Sequence, residues 1–502
     1  MIKILVLPLD ERPCNIIYPK QLFHHQNIEL VLPDANILGN KKTPANVKDI
    51  QHYLLTHIEH VDGIVFSIDM LLYGGLVPSR LHKLERETLE ERINFIGELK
   101  KRNPSIPFYA FDLIMRCPQY NSNDEEPDYY QYYGKNIFQL GYYTHKEQLN
   151  ILSKEEKVLK DDILIPVEIL NDYISRREIN NQLNIQTIEK LKEGWIDFLI
   201  IPQDDAAEYG YTALDQLKVK NIIKQYELED RAVIYPGADE TINTLISRMI
   251  MKLLNKTHRI YVHYIANNTP NTIPLLEDKS LDYTINEHIR CSGAKRVYSE
   301  NDADSFLCVN GPAFKMMNSS SHIERNYEEG QHRNLDAFIE YIAQKIEQDQ
   351  QVGVADVFNL NGSDYELMSK LNKKHLLDKL ISYGGWNTSS NTLGTVIPMM
   401  NANSIFDQEK LKDFLMLRYV EDYGYMTYVK NIVNQQLSSL NMNYFDVSKD
   451  LDKVEDIVKE TLNLFIKKYL STLKDQIIIH RVWMPWKRMF EVGIELKYKK
   501  EC

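Results

Sequence analysis

Two stretches of the 502-residue sequence set carboxylates side by side where an apolar run ends: Asp204 and Asp205 in "IPQDDAAEYG", and Asp239 and Glu240 in "IYPGADETIN". Neighbouring carboxylates disfavour each other's charge, and one of them can then stay protonated near neutral pH and act as a general acid. The same groups are hard oxygen ligands suited to magnesium, manganese or calcium. They also make ordinary helix starts, with Asp239 as an N-cap, Glu240 complementing the helix dipole, and Asp204 capping a turn. Whether further polar groups converge on them decides among these uses.

Other apolar runs end in the same manner. "KILVLPL" is followed by Asp10, Glu11, Arg12 and Asn15; "GIVFS" by Asp69, Gly74-Gly75, Ser79 and Arg80; and "FYAFDLIM" by Arg116. Three arginines and at least five carboxylates at successive strand ends describe a polar ligand site, since parallel α/β folds bind ligands beyond the carboxyl ends of their strands. Arg12, Arg80 and Arg116 have the planar fork that grips carboxylate or phosphate. Further along, "SYGGWNTSSNTLGT" offers Gly384-Gly385 for close backbone approach, Trp386 as a stacking face, and Asn387, Thr388, Ser389 and Asn391 as neutral hydrogen-bonding groups. An aromatic face beside amides and hydroxyls suits a sugar ring. The alternative is a capped left-handed turn before a helix. "NLNGSD" (359–364) ends the preceding strand and is expected beside it.

Short β-branched and aromatic runs must position these groups, and they alternate with stretches of helical period at 45–60, 84–101, 183–193, 213–227, 240–254, 333–349 and 363–374. Strands apolar on both faces and separated by helices predict an α/β fold with a mostly parallel sheet or a barrel-like N-terminal domain. The boundaries read as an N-terminal α/β domain over 1–254, a second, smaller α/β unit over 255–404, and a helical C-terminal region over 405–502 that ends in a short strand pair. Residues 118–182, rich in Tyr and acid, interrupt the first domain. They are expected either as a lid over the mouth of the sheet or as helices packed outside it.

The net charge of −12 argues against nucleic acid as a partner, because phosphate binding needs clustered Lys and Arg. Five scattered cysteines without a CxxC spacing indicate neither a disulfide framework nor structural zinc. No apolar run approaches the ~18–20 residues needed to span a bilayer, and "MIKILVLPLDERP" is too short for a secretory signal. No membrane partner and a cytoplasmic location are therefore expected. GxxxxGK[ST], GxGxxG after a strand, and GxSxG are absent, so no nucleotide loop, serine nucleophile or other cofactor is expected. None of the 14 His residues follows one of these strands, which argues against zinc.

Together, "PLDERPCN", "SIDMLLYGGLVPSR", "IPQDDAAEYG", "YPGADETI", "YGGWNTSSNTLGT" and "MPWKRMFE" resemble a bacterial family catalogued as domain of unknown function 4127, across residues 8–491. Glu11 stands where that family more often has Asp. The family implies no activity. A shorter resemblance concerns chemistry: "GADE" is similar to the Gly-Gly-Asp-Glu strand end of retaining β-N-acetylhexosaminidases, and "IPQDDA" to the Asp-Asp pair of O-GlcNAc hydrolases. By that resemblance the first carboxylate would hold a substrate acetamido group, whose oxygen attacks the anomeric carbon, and the second would protonate the leaving oxygen.

The leading expectation is thus a hydrolase of a small carbohydrate, an amino sugar or a sugar acid. Asp239 and Glu240, or Asp204 and Asp205, would be catalytic, with Asp10, Arg12, Asp69, Arg80, Arg116, Trp386, Asn387 and Asn391 lining the substrate site and no metal. A divalent-metal enzyme with an all-carboxylate site and a non-catalytic binding protein are the alternatives. A carboxylate pair with perturbed proton affinity favours an enzyme, whereas acids fully neutralised by the arginines favour a binder.

Overall fold

A computed structural model describes residues 1–25, 27–319 and 327–499. The chain is a mixed α/β protein built on parallel sheets, with a helical C-terminal region. By internal contacts it divides into two compact units. The first comprises Met1–Glu11, His24–Met249 and Leu276–Asp278; the second comprises Arg12–Phe23, Ile250–Leu275 and Lys279–Cys502.

The first unit contains β1 (Ile2–Leu7), β2 (Ile28–Val31), β3 (Gly63–Ser67), β4 (Phe108–Phe111), β5 (Phe198–Gln203) and β6 (Ala232–Pro236). They form one open sheet in the order β2-β1-β3-β4-β5-β6, every pair parallel. The four strands from β3 to β6 are buried on both faces and have no polar alternation. Each large side chain so buried contributes roughly 1.5–3 kcal/mol, and Ile64, Val65 and Phe66 of β3 are all at 0% exposure. The edge strand β2 alternates buried and half-buried residues, as a strand with one covered face does. Because all six strands point the same way, the polar residues after β1, β3, β4, β5 and β6 leave one edge of the sheet. The chain reverses its lateral direction between β1 and β3, where doubly wound sheets open a crevice.

Residues 118–182 supply two helices, Tyr130–Gln148 and Lys154–Asp161, and the first part of a third, Val167–Lys192. The first and third pack on a small core of Met115, Cys117, Tyr130, Ile137 and Tyr173. The third helix carries an inward polar stripe. Asn180 Nδ2 donates to Ser79 O (2.8 Å), Asn184 Nδ2 to Leu113 O (3.1 Å) and Arg177 Nη1 to Arg116 O (3.0 Å). The third helix therefore satisfies carbonyls of the segments that follow β3 and β4, and it lies against the strand ends.

In the second unit, β7 (Arg259–Tyr264), β8 (Lys295–Val297), β9 (Ser305–Asn310), β11 (Gln351–Asp356) and β13 (Ser382–Gly384) form a parallel sheet in the order β13-β11-β9-β7-β8. β10 (Met317–Asn318) and β12 (Asn359–Leu360) make a separate two-residue ladder. Read from β8, the order repeats that of the first sheet, with the second strand outside the first and the rest following in sequence. β8 escapes the sequence pattern because "KRV" is three residues long and only partly buried. The C-terminal helices include an eleven-residue π-helical stretch, Tyr419–Val429, and lead to β14 (Ile477–Trp483) paired antiparallel with β15 (Gly493–Tyr498). Among the described residues no helix is long and apolar enough to cross a membrane. Cys14, Cys117, Cys291 and Cys308 are buried and form no disulfide, and Cys502 lies outside the described residues.

Candidate functional site

The carboxyl edge of the first sheet gathers an ionic cluster around two arginines. Arg80 lies in the last turn of the short helix Leu76–Leu81 after β3, and Arg116 follows β4. Arg80 Nη2 contacts Asp204 Oδ2 at 2.7 Å, and its Nη1 contacts Glu125 Oε2 at 2.9 Å and Glu126 Oε1 at 3.4 Å. Arg116 Nε meets Glu126 Oε1 at 2.7 Å and its Nη2 meets Glu125 Oε2 at 3.0 Å. Arg116 Nη1 faces both members of the acidic pair, Asp204 Oδ2 at 3.7 Å and Asp205 Oδ2 at 3.3 Å. The arginine forks expected to grip a ligand anion are thus occupied by four carboxylates of the chain itself.

Asp204 and Asp205 keep side-chain exposures of 19% and 10%, so they can be reached from solvent. Burial, then the neighbouring Asp204 carboxylate, pushes Asp205 up to about 7, against the pull of Arg116 and Arg80. Asp205 also has φ 44°, the left-handed region that Asp tolerates better than most residues. That turn brings two consecutive side chains onto one guanidinium nitrogen.

The second acidic pair leaves the adjacent strand at the same level. Gln203 of β5 is paired with Pro236 of β6, and Gly237 N donates to Gln203 O at 3.0 Å. Here the helix Thr241–Leu253 begins one residue later than an Asp239 cap requires, and Glu240 occupies the cap position. The Glu240 side chain turns back so that Oε2 accepts from Ala238 N (3.0 Å), while Oε1 is buried without a hydrogen-bond partner. A Cβ on Gly237, at φ +146°, would collide with that carboxyl group, so the glycine makes the fold-back possible. Burial raises Glu240 to about 8, against the pull of two backbone N–H groups, and it is at 0% exposure. Asp239 beside it is buried too.

The remaining expected residues of this unit sit deeper. Asp69 lies in the helix Ile68–Tyr73, which Ser67 caps, and its Oδ2 accepts from Leu113 N at 3.1 Å. Burial and the nearby Asp112 carboxylate raise its proton affinity well above normal. Asp112, at the end of β4, is pushed to about 6 by burial, and its Oδ2 has no hydrogen-bond partner. Asp10 is buried at the end of β1. The pattern of polar residues after apolar runs does not single out Asp112, Glu125 or Glu126. Asp112 did leave a signal, a lone acid inside "FYAFDLIM", since a charged residue in an apolar strand is rarely buried without purpose.

The other expected residues belong to the second unit. Arg12 contacts Glu491 Oε2 at 3.3 Å and lies over the Trp486 ring at 4.5 Å. Trp386 departs from the expected stacking face. It is buried, its indole N–H donates to Thr395 Oγ1 (3.1 Å), and its ring meets Tyr18 edge-on at 5.9 Å. Asn387 takes the left-handed turn at φ 51°, and its carbonyl accepts from Asn361 N (2.9 Å). Asn391 is buried in the first turn of the helix that Thr388 caps, with Oδ1 unpartnered. The capped turn is therefore present, and the aromatic ring has gone into the core.

Beyond the ends of β9, β11 and β13 lies a second polar network. Asn310 Nδ2 donates to Asp356 Oδ1 (2.8 Å) and Asp364 Oδ2 (3.2 Å); Arg333 Nη2 contacts Asp364 Oδ2 (2.6 Å); and Tyr383 O–H faces Asp356 Oδ2 (3.0 Å) and Ser363 Oγ (2.6 Å). Burial and Asp364 raise Asp356 to about 7. "NLNGSD" supplies Ser363 and Asp364, as expected from its position after a strand. A cavity of about 470 Å³ lies at the opposite, amino-terminal ends of β7, β9 and β11, lined by Lys256, His258, Asp304 and Gln351.

The family model described as Protein of unknown function (DUF4127) matches residues 4–495. The chain belongs to that family. The match takes in both parallel sheets and the Asp204-Asp205 cluster together, so these are parts of one family unit. No curated protein matches the chain. Among the described residues, no group of three or more His, Cys, Asp or Glu side chains is arranged to hold a metal ion.

Proposed function

We propose that the chain is a hydrolase of a small carbohydrate, with Asp205 as the general acid and Asp204 as the orienting carboxylate. The observation that carries this reading is the Asp204–Asp205 pair itself. One member is ion-paired to Arg80 at 2.7 Å, and the other is raised to about 7 in a place solvent can reach. A group that titrates near neutrality is half-protonated at working pH and can both give and take a proton. Glu240 has a raised proton affinity as well, but it is sealed and bound to Ala238 N–H, which supports a structural role there.

Both carboxylates lie on one guanidinium nitrogen and so approach a substrate from the same side. That arrangement suits a substrate whose own acetamido oxygen attacks the anomeric carbon. In this scheme Asp204 accepts the acetamido N–H while the oxygen closes on C1. The C1–O bond breaks as Asp205 passes its proton to the leaving oxygen. A water then opens the cyclic intermediate, returning its proton to Asp205.

The local charge supports an amino sugar over a sugar acid. Arg80 and Arg116 face Asp204, Asp205, Glu125 and Glu126, which makes the cluster acidic and unwelcoming to a substrate carboxylate. The occupied arginines equally favour a non-catalytic binder of the same ligand, and the experiment separates the two. Purified protein is incubated with methyl glycosides and disaccharides of N-acetylated amino sugars and of uronic acids, whose leaving alcohols must be protonated, and the free amino sugars are tested by thermal shift. Release of free sugar from the amino-sugar glycosides, lost about 10²–10⁴-fold in Asp205→Asn, supports hydrolysis. A thermal shift without turnover leaves a binder. Turnover or stabilisation with uronic acids alone, or full activity in Asp205→Asn, overturns the proposal.

A further inference from the structure

The cavity at the amino-terminal ends of β7, β9 and β11 takes no part in the proposed hydrolysis, and all its lining residues belong to the second unit. Its volume of about 470 Å³ lies within the range of small-molecule pockets. Met251, buried, gives it an apolar wall, and His258, also buried, a polar one. Asn401 Nδ2 donates to Ser292 O (3.2 Å), which turns its Oδ1 to His258 Nδ1 at 2.9 Å. An amide oxygen only accepts, so Nδ1 carries the proton and Nε2 is a bare acceptor. Burial lowers the proton affinity of the ring and keeps it neutral, against the pull of the Asn401 bond and of Asp304. Nε2 is buried without a hydrogen-bond partner. The two ring nitrogens diverge, so the donor that Nε2 lacks has to come from the side away from Asn401.

The charges around the same cavity indicate what enters it. Lys256, just past the helix Thr241–Leu253, and Asp349, in a left-handed turn at φ 57° before β11, both line it. Neither makes an ion pair among the described residues, with each other or with any other group. The third charge, Asp304, is neutralised by Arg259, whose Nη2 stands 2.7 Å from Oδ1. One cation and one anion that face a common space without pairing suit a ligand carrying both signs, its acid group at Lys256 and its ammonium at Asp349. The helices Leu335–Glu347 and Ser389–Asn403 end at this edge, just before Asp349 and Ser404, and their negative C-terminal ends favour an ammonium there. A purely anionic ligand would meet Asp349 and both helix ends, and a purely cationic one would meet Lys256.

We infer that this cavity binds a free α-amino acid as its zwitterion, held between Lys256 and Asp349, with its side chain against Met251 and an N–H turned to His258. The site is separate from the proposed hydrolysis and does not depend on it. Isothermal titration calorimetry of the full chain tests this with glycine, L-alanine, L-leucine and L-glutamine, and with butyrate and butylamine as carriers of one charge each. At least one amino acid should bind, about tenfold or more tightly than either single-charge compound, since each lost contact to a charged group weakens binding by that much. Lys256→Gln and Asp349→Asn should each weaken the same amino acid by about tenfold or more. Both positions are exposed and Asn tolerates the left-handed turn, so circular dichroism should show both variants folded. No binding of any of these amino acids at millimolar concentration would overturn the inference. So would butyrate or butylamine binding as tightly as the best amino acid, or full affinity in either variant, which would place any bound amino acid elsewhere.

Discussion

Arg80 Nη2 stands 2.7 Å from Asp204 Oδ2, and the Arg80 side chain is 2% exposed while that of Asp204 is 19% exposed. The cation is thus fixed inside the unit, and the carboxylate is the member that faces outward. Removing the cation leaves Asp204, Glu125 and Glu126 to share Arg116 alone. Breaking a buried pair on one side costs about 3–5 kcal/mol, far more than the pair is worth against an apolar replacement. Arg80→Gln should therefore lose several kcal/mol in urea denaturation. Adding Asp204→Asn to it should recover part of that loss, with a coupling of about 0.5–3 kcal/mol. Strictly additive losses would mean that the two side chains do not interact.

Glu240 makes stability fall with rising pH. Its carboxyl titrates at about 8 in the fold, above the ordinary value of 4.5. Between these values the unfolded chain has lost the proton while the folded chain keeps it. Its stabilising contribution is full below about pH 4.5 and is lost as pH rises to about 8, at roughly 1.4 kcal/mol per unit. Glu240→Gln keeps the shape and removes the titration. Measured by thermal unfolding at a series of pH values, the variant should gain on wild type steadily from pH 4.5 to 8 and stay level above that. A constant difference across the range would show that Glu240 is ionised in the fold.

Gly237 is tied to the same carboxyl. A side chain there would enter the space that Glu240 fills, at a backbone φ of +146°. Gly237→Ala should destabilise the protein by more than the ~1 kcal/mol of an unfavourable backbone alone. Gly237→Ala combined with Glu240→Ala should remove the steric part and leave only the backbone part. Equal destabilisation by Gly237→Ala with and without Glu240 would show that no collision occurs.

The rim of the first sheet was legible because its logic is local. In a parallel sheet every strand's carboxyl end reaches the same edge, so the polar residues just after each apolar run pick out Asp204, Asp205, Arg80 and Arg116 without any knowledge of distances. Glu125 and Glu126 escaped because they arrive from the insertion, and nothing in "NDEEPD" says which arginine it will meet. The two arginines looked available for a ligand for the same reason. Trp386 misled differently. "GGWN" does make the expected turn, but Tyr18, which covers the ring, lies in the helix Pro13–Phe23, near the start of the chain. Local pattern identifies the turn, and only the tertiary fold decides which way its ring points.

Trp386 consequently belongs to the stability of the second unit. Trp386→Phe keeps the ring against Tyr18 and loses the N–H bond to Thr395. A buried hydrogen bond and the orphaned Thr395 acceptor together amount to about 1–3 kcal/mol. Calorimetry should show a loss of that size, and any amino-sugar affinity found for wild type should be unchanged. A tenfold weaker ligand with an unaltered melting temperature would return Trp386 to the binding surface.

Asp205 sets the pH range in which the proposed hydrolysis can run. As general acid it must enter the reaction protonated, and burial with the Asp204 charge holds its titration at about 7. On the alkaline side, kcat/KM for an amino-sugar glycoside should fall tenfold per pH unit above about 7, because the deprotonated fraction cannot deliver the proton. Weakening the Asp204 charge should shift that limb in a defined direction. Asp204→Asn removes a negative neighbour that raises Asp205, so the alkaline limb should move to lower pH as well as losing height. A limb that stays in place in Asp204→Asn would assign the titration to another group, with Glu240, at about 8, the first to test. If Glu240→Gln then abolished the limb while Asp205→Asn left it intact, the acid would be the carboxyl folded beneath Gly237, and Asp204 and Asp205 would be left as the ionic frame around Arg80 and Arg116.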